Sequence, residues 1–157
     1  MIDPIVCTNI LTFFYKNGRG HELNETLDWV YSVLEHHAYL DGTLYYFGAD
    51  TFLFLLARLM ETDASVNERF YKLFTERVSE RAGIQGDSMA LAMRIMAAAH
   101  VNIFLAHDYE ELLTLQQTDG SWPLGWMYKY GASGILIGNV GLSTAYAARA
   151  IKIVQSM

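Results

Sequence analysis

Apolar residues recur at spacings of three and four along almost the whole chain, the signature of helices packed on a core. Two kinds of helical segment alternate. Residues 3–15, 50–60, 87–100 and 142–154 are apolar around most of their circumference, with Ile5, Leu11, Phe52, Leu56, Leu91 and Ile95 among them. Residues 23–37, 66–80 and 108–117 carry an apolar stripe on one side and charge on the other, as Leu27, Val30 and Leu34 oppose Glu25, Asp28 and Glu35. The pattern predicts an all-α fold of about seven helices. Helices buried on all sides alternate with helices buried on one.

The helix starts carry matching signals. Asp3 precedes Pro4, a capping side chain followed by the residue best suited to the first helical position. Asp50 and Asp87 stand at the starts of the next two apolar segments, and each is placed to cap its helix. Gly turns at Asp41-Gly42, Ala82-Gly83 and Asp119-Gly120 end the charged segments at intervals of roughly 40 residues, the period of a helix-pair repeat. Such pairs stack as an open solenoid or close as an α/α toroid. The strong alternation of buried and exposed helices favours a toroid, or part of one, in a single domain covering residues 1–157.

Composition narrows the class of partner. Net charge is −6 and no Lys/Arg cluster is present, which argues against nucleic acid as a partner. Cys7 is the only cysteine, so no internal disulfide forms and a reducing, cytoplasmic location is expected. No basic leader with an apolar run is seen, and no apolar stretch is long enough for a membrane span. Aromatic residues make up 13% of the chain, enough to fill a core and still line a cavity.

The segment Leu112-Leu113-Thr114-Leu115-Gln116-Gln117-Thr118-Asp119-Gly120-Ser121-Trp122-Pro123 resembles the QW repeat of squalene–hopene cyclases and related terpenoid cyclases. The physical logic is readable: Gln116 can bond free backbone groups at a helix junction, Trp122 can cover it, and Asp119-Gly120 can make the turn. Asp3-Pro4-Ile5-Val6 with Asn9-Ile10-Leu11 resembles an inner helix of microbial prenyltransferase and squalene-oxidase repeats, and Tyr45-Tyr46 before Phe52 and Phe54 resembles the next one. The resemblance implies an α/α toroid that encloses an apolar isoprenoid or lipid among aromatic side chains. It also implies that a domain of this length is a half or fragment of a larger barrel, completed by self-association or by a further half. The chain departs from that superfamily's catalytic motifs. Of the D-x-D-D acid motif only Asp3 has a counterpart; the zinc ligand set and the aspartate-rich magnesium motif are missing, so no metal and no cofactor is expected.

The residues singled out therefore each carry two readings. Asp3, Asp50 and Asp87 read as caps or as acids at a cavity mouth, with Asp3 the catalytic candidate. Tyr45, Tyr46, Phe47, Phe52 and Phe54 read as core or as an aromatic wall that stabilises positive charge. Residues 123–140, with Trp126, Tyr128, Tyr130 and the single cation Lys129, read as one extended loop, either a connection or a lid over the ligand. Tyr45, Tyr46, Asp50, Phe54, Trp122 and Trp126 are the expected ligand contacts. The five histidines show no ligand spacing. The alternative to a ligand-binding domain is a non-catalytic helical-repeat module that recruits a protein partner.

Overall fold

The computed structural model describes residues 2–157. Seven α-helices form, with one small sheet: α1 (Pro4–Lys16), α2 (Asn24–Glu35), α3 (Ala49–Met60), α4 (Ala64–Glu80), α5 (Ser88–His100), α6 (Ala106–Thr114) and α7 (Val140–Val154), with β1 (Trp126–Lys129) and β2 (Leu136–Gly138) between the last two. The all-α reading holds. The apolar helices α1, α3, α5 and α7 pack in that order as one row. Helices α2, α4 and α6 pack behind α1, α3 and α5. Each outer helix buries one stripe; on α4 it is Val66, Phe70, Phe74 and Val78.

The two middle helices of the row behave as the apolar pattern predicts. Every residue of α3 from Ala49 to Met60 is buried except Arg58. Helix α5 buries nearly all of its first three turns. The end helices differ. Helix α1 buries only Pro4, Ile5, Thr8 and Leu11, while Val6, Ile10 and Phe13 are exposed. It has α3 on one flank and, among the described residues, no helix of the row on the other. Helix α7 buries the small side chains Ser143, Ala147 and Ala150, which let it pack closely on α5.

Two expectations are corrected. The connection over residues 123–140 is an antiparallel hairpin rather than an irregular loop, with Lys129 opposite Leu136 and Tyr128 opposite Ile137. Its short alternating runs favour strands on each side of a glycine-rich tip. The Tyr45–Phe47 segment lies along its free edge: the Lys129 amide donates to the Tyr45 carbonyl at 2.9 Å, and the Phe47 amide donates to the Met127 carbonyl at 2.8 Å. At Gly138 a Cβ would collide with the Gly125 carbonyl, so only glycine fits that approach. The second correction concerns Asp50. Gly48 occupies the cap position of α3 and offers no side chain to it. Asp50 lies inside the first turn and turns to arginines instead.

Among the described residues, one buried hydroxyl is left without a partner. The Tyr39 ring stacks on Phe52 with centroids 5.0 Å apart, and its hydroxyl makes no hydrogen bond. Burial pushes this phenol up to about 12, with Glu80 and Asp50 adding to the rise and Arg77 and Arg81 opposing it. The ordinary phenol ionises near 10, so the unfolded chain loses this proton first as pH rises. The folded state is therefore undisturbed below pH 10 and loses stability between pH 10 and pH 12. Tyr39→Phe is expected to stabilise the protein by about 1 kcal/mol at neutral pH, since an unpaired buried hydroxyl is removed. It should also flatten the alkaline loss. Urea unfolding at pH 8 and pH 11 measures both, and a variant less stable than the parent would show that the hydroxyl is paired in solution.

Candidate functional site

Four elements bring aromatic rings together on one side of the helical row. Tyr46, from the segment before α3, lies 5.4 Å from Tyr128 of β1. Phe54 of α3 lies 5.3 Å from Tyr146 of α7. Tyr128 is near enough to Tyr146 to act on its hydroxyl, which links the two pairs. Burial first, then the neighbouring Tyr128 phenol, raises Tyr146 above the ordinary phenol range. The same two causes in the same order raise Tyr46. A row of four rings thus runs from the edge of α1 to α7. Beside Tyr46, the exposed side of α1 contributes Val6, Ile10 and Phe13 to a groove of about 390 Å³. Tyr46, Tyr128 and Tyr146 keep part of their surface open while Phe54 is buried; π faces of this kind can hold a hydrocarbon chain and stabilise a cation.

Asp3 stands at the N-terminus of α1. Its Oδ1 accepts the amide hydrogens of Ile5 at 2.9 Å and Val6 at 3.1 Å, so the cap reading holds. Its Oδ2 is buried and has no hydrogen-bond partner. The carboxylate lines a cleft of about 350 Å³ with Thr43, Leu44 and Tyr45. One oxygen is committed to the helix and the other is left without a partner. Cys7 lies one turn along; burial raises its thiol first, and the Asp3 charge adds to the rise.

The remaining residues fall in three other places. Asp50 gives both oxygens to guanidinium groups. Arg81 donates at 3.2 and 2.9 Å and Arg94 at 3.1 Å to each oxygen. Arg94 is 1% exposed and also pairs with Asp108, whose second oxygen accepts the Gly83 amide at 2.9 Å. Two carboxylates and two guanidiniums thus make a neutral, fully hydrogen-bonded cluster joining α3, the end of α4, α5 and α6. Trp126 sits where the hairpin begins, its amide held by Asp87 Oδ2 at 2.9 Å while Asp87 Oδ1 caps α5 through the Ala90 amide at 2.9 Å. A small cavity of about 120 Å³ opens between Trp126, Phe47 and Arg81. Trp122 lies under the junction of α6 and α7. Its indole N–H donates to the Leu112 carbonyl at 2.8 Å, and the Gln116 side chain donates to the Gly120 carbonyl at 3.2 Å. Asp119 accepts from the Ser121 amide at 3.0 Å, and Gly120 takes a positive φ of 85° in the turn.

The structure therefore gathers Tyr46 and Phe54 on the aromatic face and puts Asp3 and Tyr45 on an adjoining cleft. The outer junction holds Gln116, Asp119, Gly120 and Trp122. Tyr128, from the segment read as a connection or lid, and Tyr146, which the sequence pattern does not single out, complete the face. Tyr146 is the one aromatic residue of an Ala-rich helix, and that isolation is the signal it offers.

No family model matches the chain, and no solved structure matches it. A curated relative does. Over 152 residues the chain is 44% identical to drimenol cyclase drtB of Aspergillus calidoustus. The chain is similar to part of a terpenoid cyclase. That alignment takes in 96% of this chain and 29% of the cyclase, so the chain spans less than a third of the length of this relative.

Proposed function

We propose that this domain binds an apolar isoprenoid across the row Tyr46, Tyr128, Tyr146 and Phe54, and that it serves terpenoid metabolism. The aromatic row is the observation that carries this reading, and the 44% identity to a drimenol cyclase segment supports it. In the same reading Asp3 is the catalytic acid. Its free Oδ2 delivers a proton to a ligand double bond, while the π faces of the row stabilise the positive charge that follows. Tyr45 and the Asp3 cleft hold the end of the ligand that receives the proton. Trp126 fixes the hairpin that carries Tyr128. Residues 1–157 are then one part of an α/α toroid, and another half, from further chain or a second copy, packs on the uncovered side of α1.

Asp3→Asn is the informative substitution, because Asn caps a helix as well as Asp does. It keeps the fold and removes the proton. Asp3→Asn is expected to leave binding of a fluorescent prenyl analogue within about twofold and to lower turnover of an isoprenoid substrate by at least ~100-fold. Equal turnover would remove Asp3 from the chemistry. No binding of the analogue by the parent protein would remove the isoprenoid reading. The exposed Val6, Ile10 and Phe13 favour a second reading, a non-catalytic module that docks a protein helix on this side of α1. Light scattering of the same preparations separates the two, since a stable complex without ligand binding belongs to the second.

A further inference from the structure

The small sheet has one edge closed and one edge open. The Tyr45–Phe47 segment lies on one side of β1 and β2 on the other, and among the described residues nothing pairs with the outer edge of β2. The backbone groups on that edge follow from the ladder. The Lys129 amide donates to the Tyr45 carbonyl, away from β2. Lys129 and its partner Leu136 are therefore a non-hydrogen-bonded pair, and the Leu136 N–H and C=O point out to the open edge. The Tyr130 amide donates to the Ile135 carbonyl at 2.9 Å, so the neighbouring pair faces inward, as the alternation requires. Ile135 and Ile137 share one face of β2 and are 59% and 44% exposed. Ile137 stands opposite Tyr128, and Tyr128 opposite Tyr46, so the isoleucines continue the aromatic row across the sheet. Edge strands are usually guarded by charge or proline. Here no Lys, Arg, Asp, Glu or Pro occurs from Tyr130 to Ala148.

We propose that the open edge of β2 is the interface between two copies of this chain, paired antiparallel about a two-fold axis at Leu136. The segment Gly134-Ile135-Leu136-Ile137-Gly138 reads the same in both directions. An antiparallel pair centred on Leu136 sets that residue against itself, Ile135 against the partner's Ile137, and Gly134 against the partner's Gly138. The outward groups of the two Leu136 residues exchange both N–H···O bonds, and the flanking glycines put no side chain in the way. Such self-matching is what a two-fold interface demands. Charge selects the same occupant. The chain carries −6, so two copies repel over most of their surface. The uncharged stretch from Tyr130 to Ala148 lets them meet without opposing like charges, and it offers no countercharge to an acidic or basic peptide. Four isoleucines then cluster on one face and join the aromatic rows of the two copies. This contact is separate from the uncovered side of α1 and does not depend on the isoprenoid reading.

Sedimentation equilibrium of the chain, from micromolar to millimolar concentration, tests the pairing. The parent should form a dimer. Ile137→Lys brings two like charges to the edge and should raise the dissociation constant at least ~10-fold, the effect of a guarding charge on an edge strand. Ile137→Thr keeps a strand-forming side chain and should weaken the dimer less. Phe13→Lys, on the exposed side of α1, should leave it unchanged. Ile137 and Phe13 are both exposed, so the variants should fold, and circular dichroism checks this. A parent that stays monomeric overturns the proposal, as does a dimer that Ile137→Lys leaves intact or that Phe13→Lys alone abolishes. Open-ended oligomers in place of a dimer also refute it, because a two-fold pair uses up the edge. Cross-linking supplies an arm that does not require Ile137→Lys to fold. Leu136→Cys in a Cys7→Ser background should give a disulfide-linked dimer on mild oxidation, since only a two-fold at this residue brings its two copies together. Phe13→Cys in the same background should stay monomeric. Linkage at Phe13→Cys and none at Leu136→Cys would move the contact to α1 and refute the β2 interface.

Discussion

Arg94→Met should destabilise the protein by about 3–5 kcal/mol, the cost of leaving a buried ion without its partner. Arg94 holds α5 to two other helices at once, through Asp50 of α3 and Asp108 of α6. Methionine fills similar volume and offers no charge. Asp50 would keep Arg81. Asp108 would keep only the Gly83 amide, so most of the loss should fall there. A second substitution tests that division: Asp108→Asn in the Arg94→Met background should recover part of the stability, because the stranded charge is gone. Urea unfolding of the two single variants and the double variant gives the coupling directly. A loss below about 1 kcal/mol for Arg94→Met would show that water reaches these groups, since that is the worth of an exposed pair.

This cluster also marks where sequence reading stopped. Helical periodicity located all seven helices, because each must present an apolar stripe to the core and that demand is written locally. Residues that meet through tertiary packing are written far apart. Arg94 sits in an Ala- and Met-rich helix, and its carboxylate partners are 44 and 14 residues away. Nothing in the local pattern joins them, so Asp50 read as a cap. The hairpin was hidden for a related reason. Its strands are four and three residues long, and the segment that steadies them, Tyr45–Phe47, precedes α3.

The aromatic face was half legible. Tyr46 and Phe54 belong to a dense aromatic run ahead of and within an apolar helix, and such a run draws notice. Tyr128 and Tyr146 join them only because the hairpin folds across the row and α7 packs on α5. The motif around Trp122 was the most readable part, since its residues act on one another over a short stretch of chain.

That short stretch supports the second large effect. Trp122 is 4% exposed beneath the α6–α7 junction. Its ring covers the end of α6, its indole N–H satisfies the Leu112 carbonyl in the last turn, and its own amide donates to Thr144 Oγ1 at 3.1 Å at the start of α7. Trp122→Ala removes the packing and strands that carbonyl, and about 3–5 kcal/mol of stability should go with it. For a chain of this size that corresponds to a fall of roughly 6–20 °C in Tm. Trp122→Phe keeps an aromatic body and loses the donor, so a smaller loss of about 1–3 kcal/mol is expected. Hydrogen exchange locates the damage: amides of α6 and the start of α7 should open first, while those of α3 keep their protection. Thermal unfolding of Trp122→Ala within 2 °C of the parent would mean that the junction is held by the Gln116 and Asp119 turn alone. The tryptophan of the motif would then have to be explained by something other than packing.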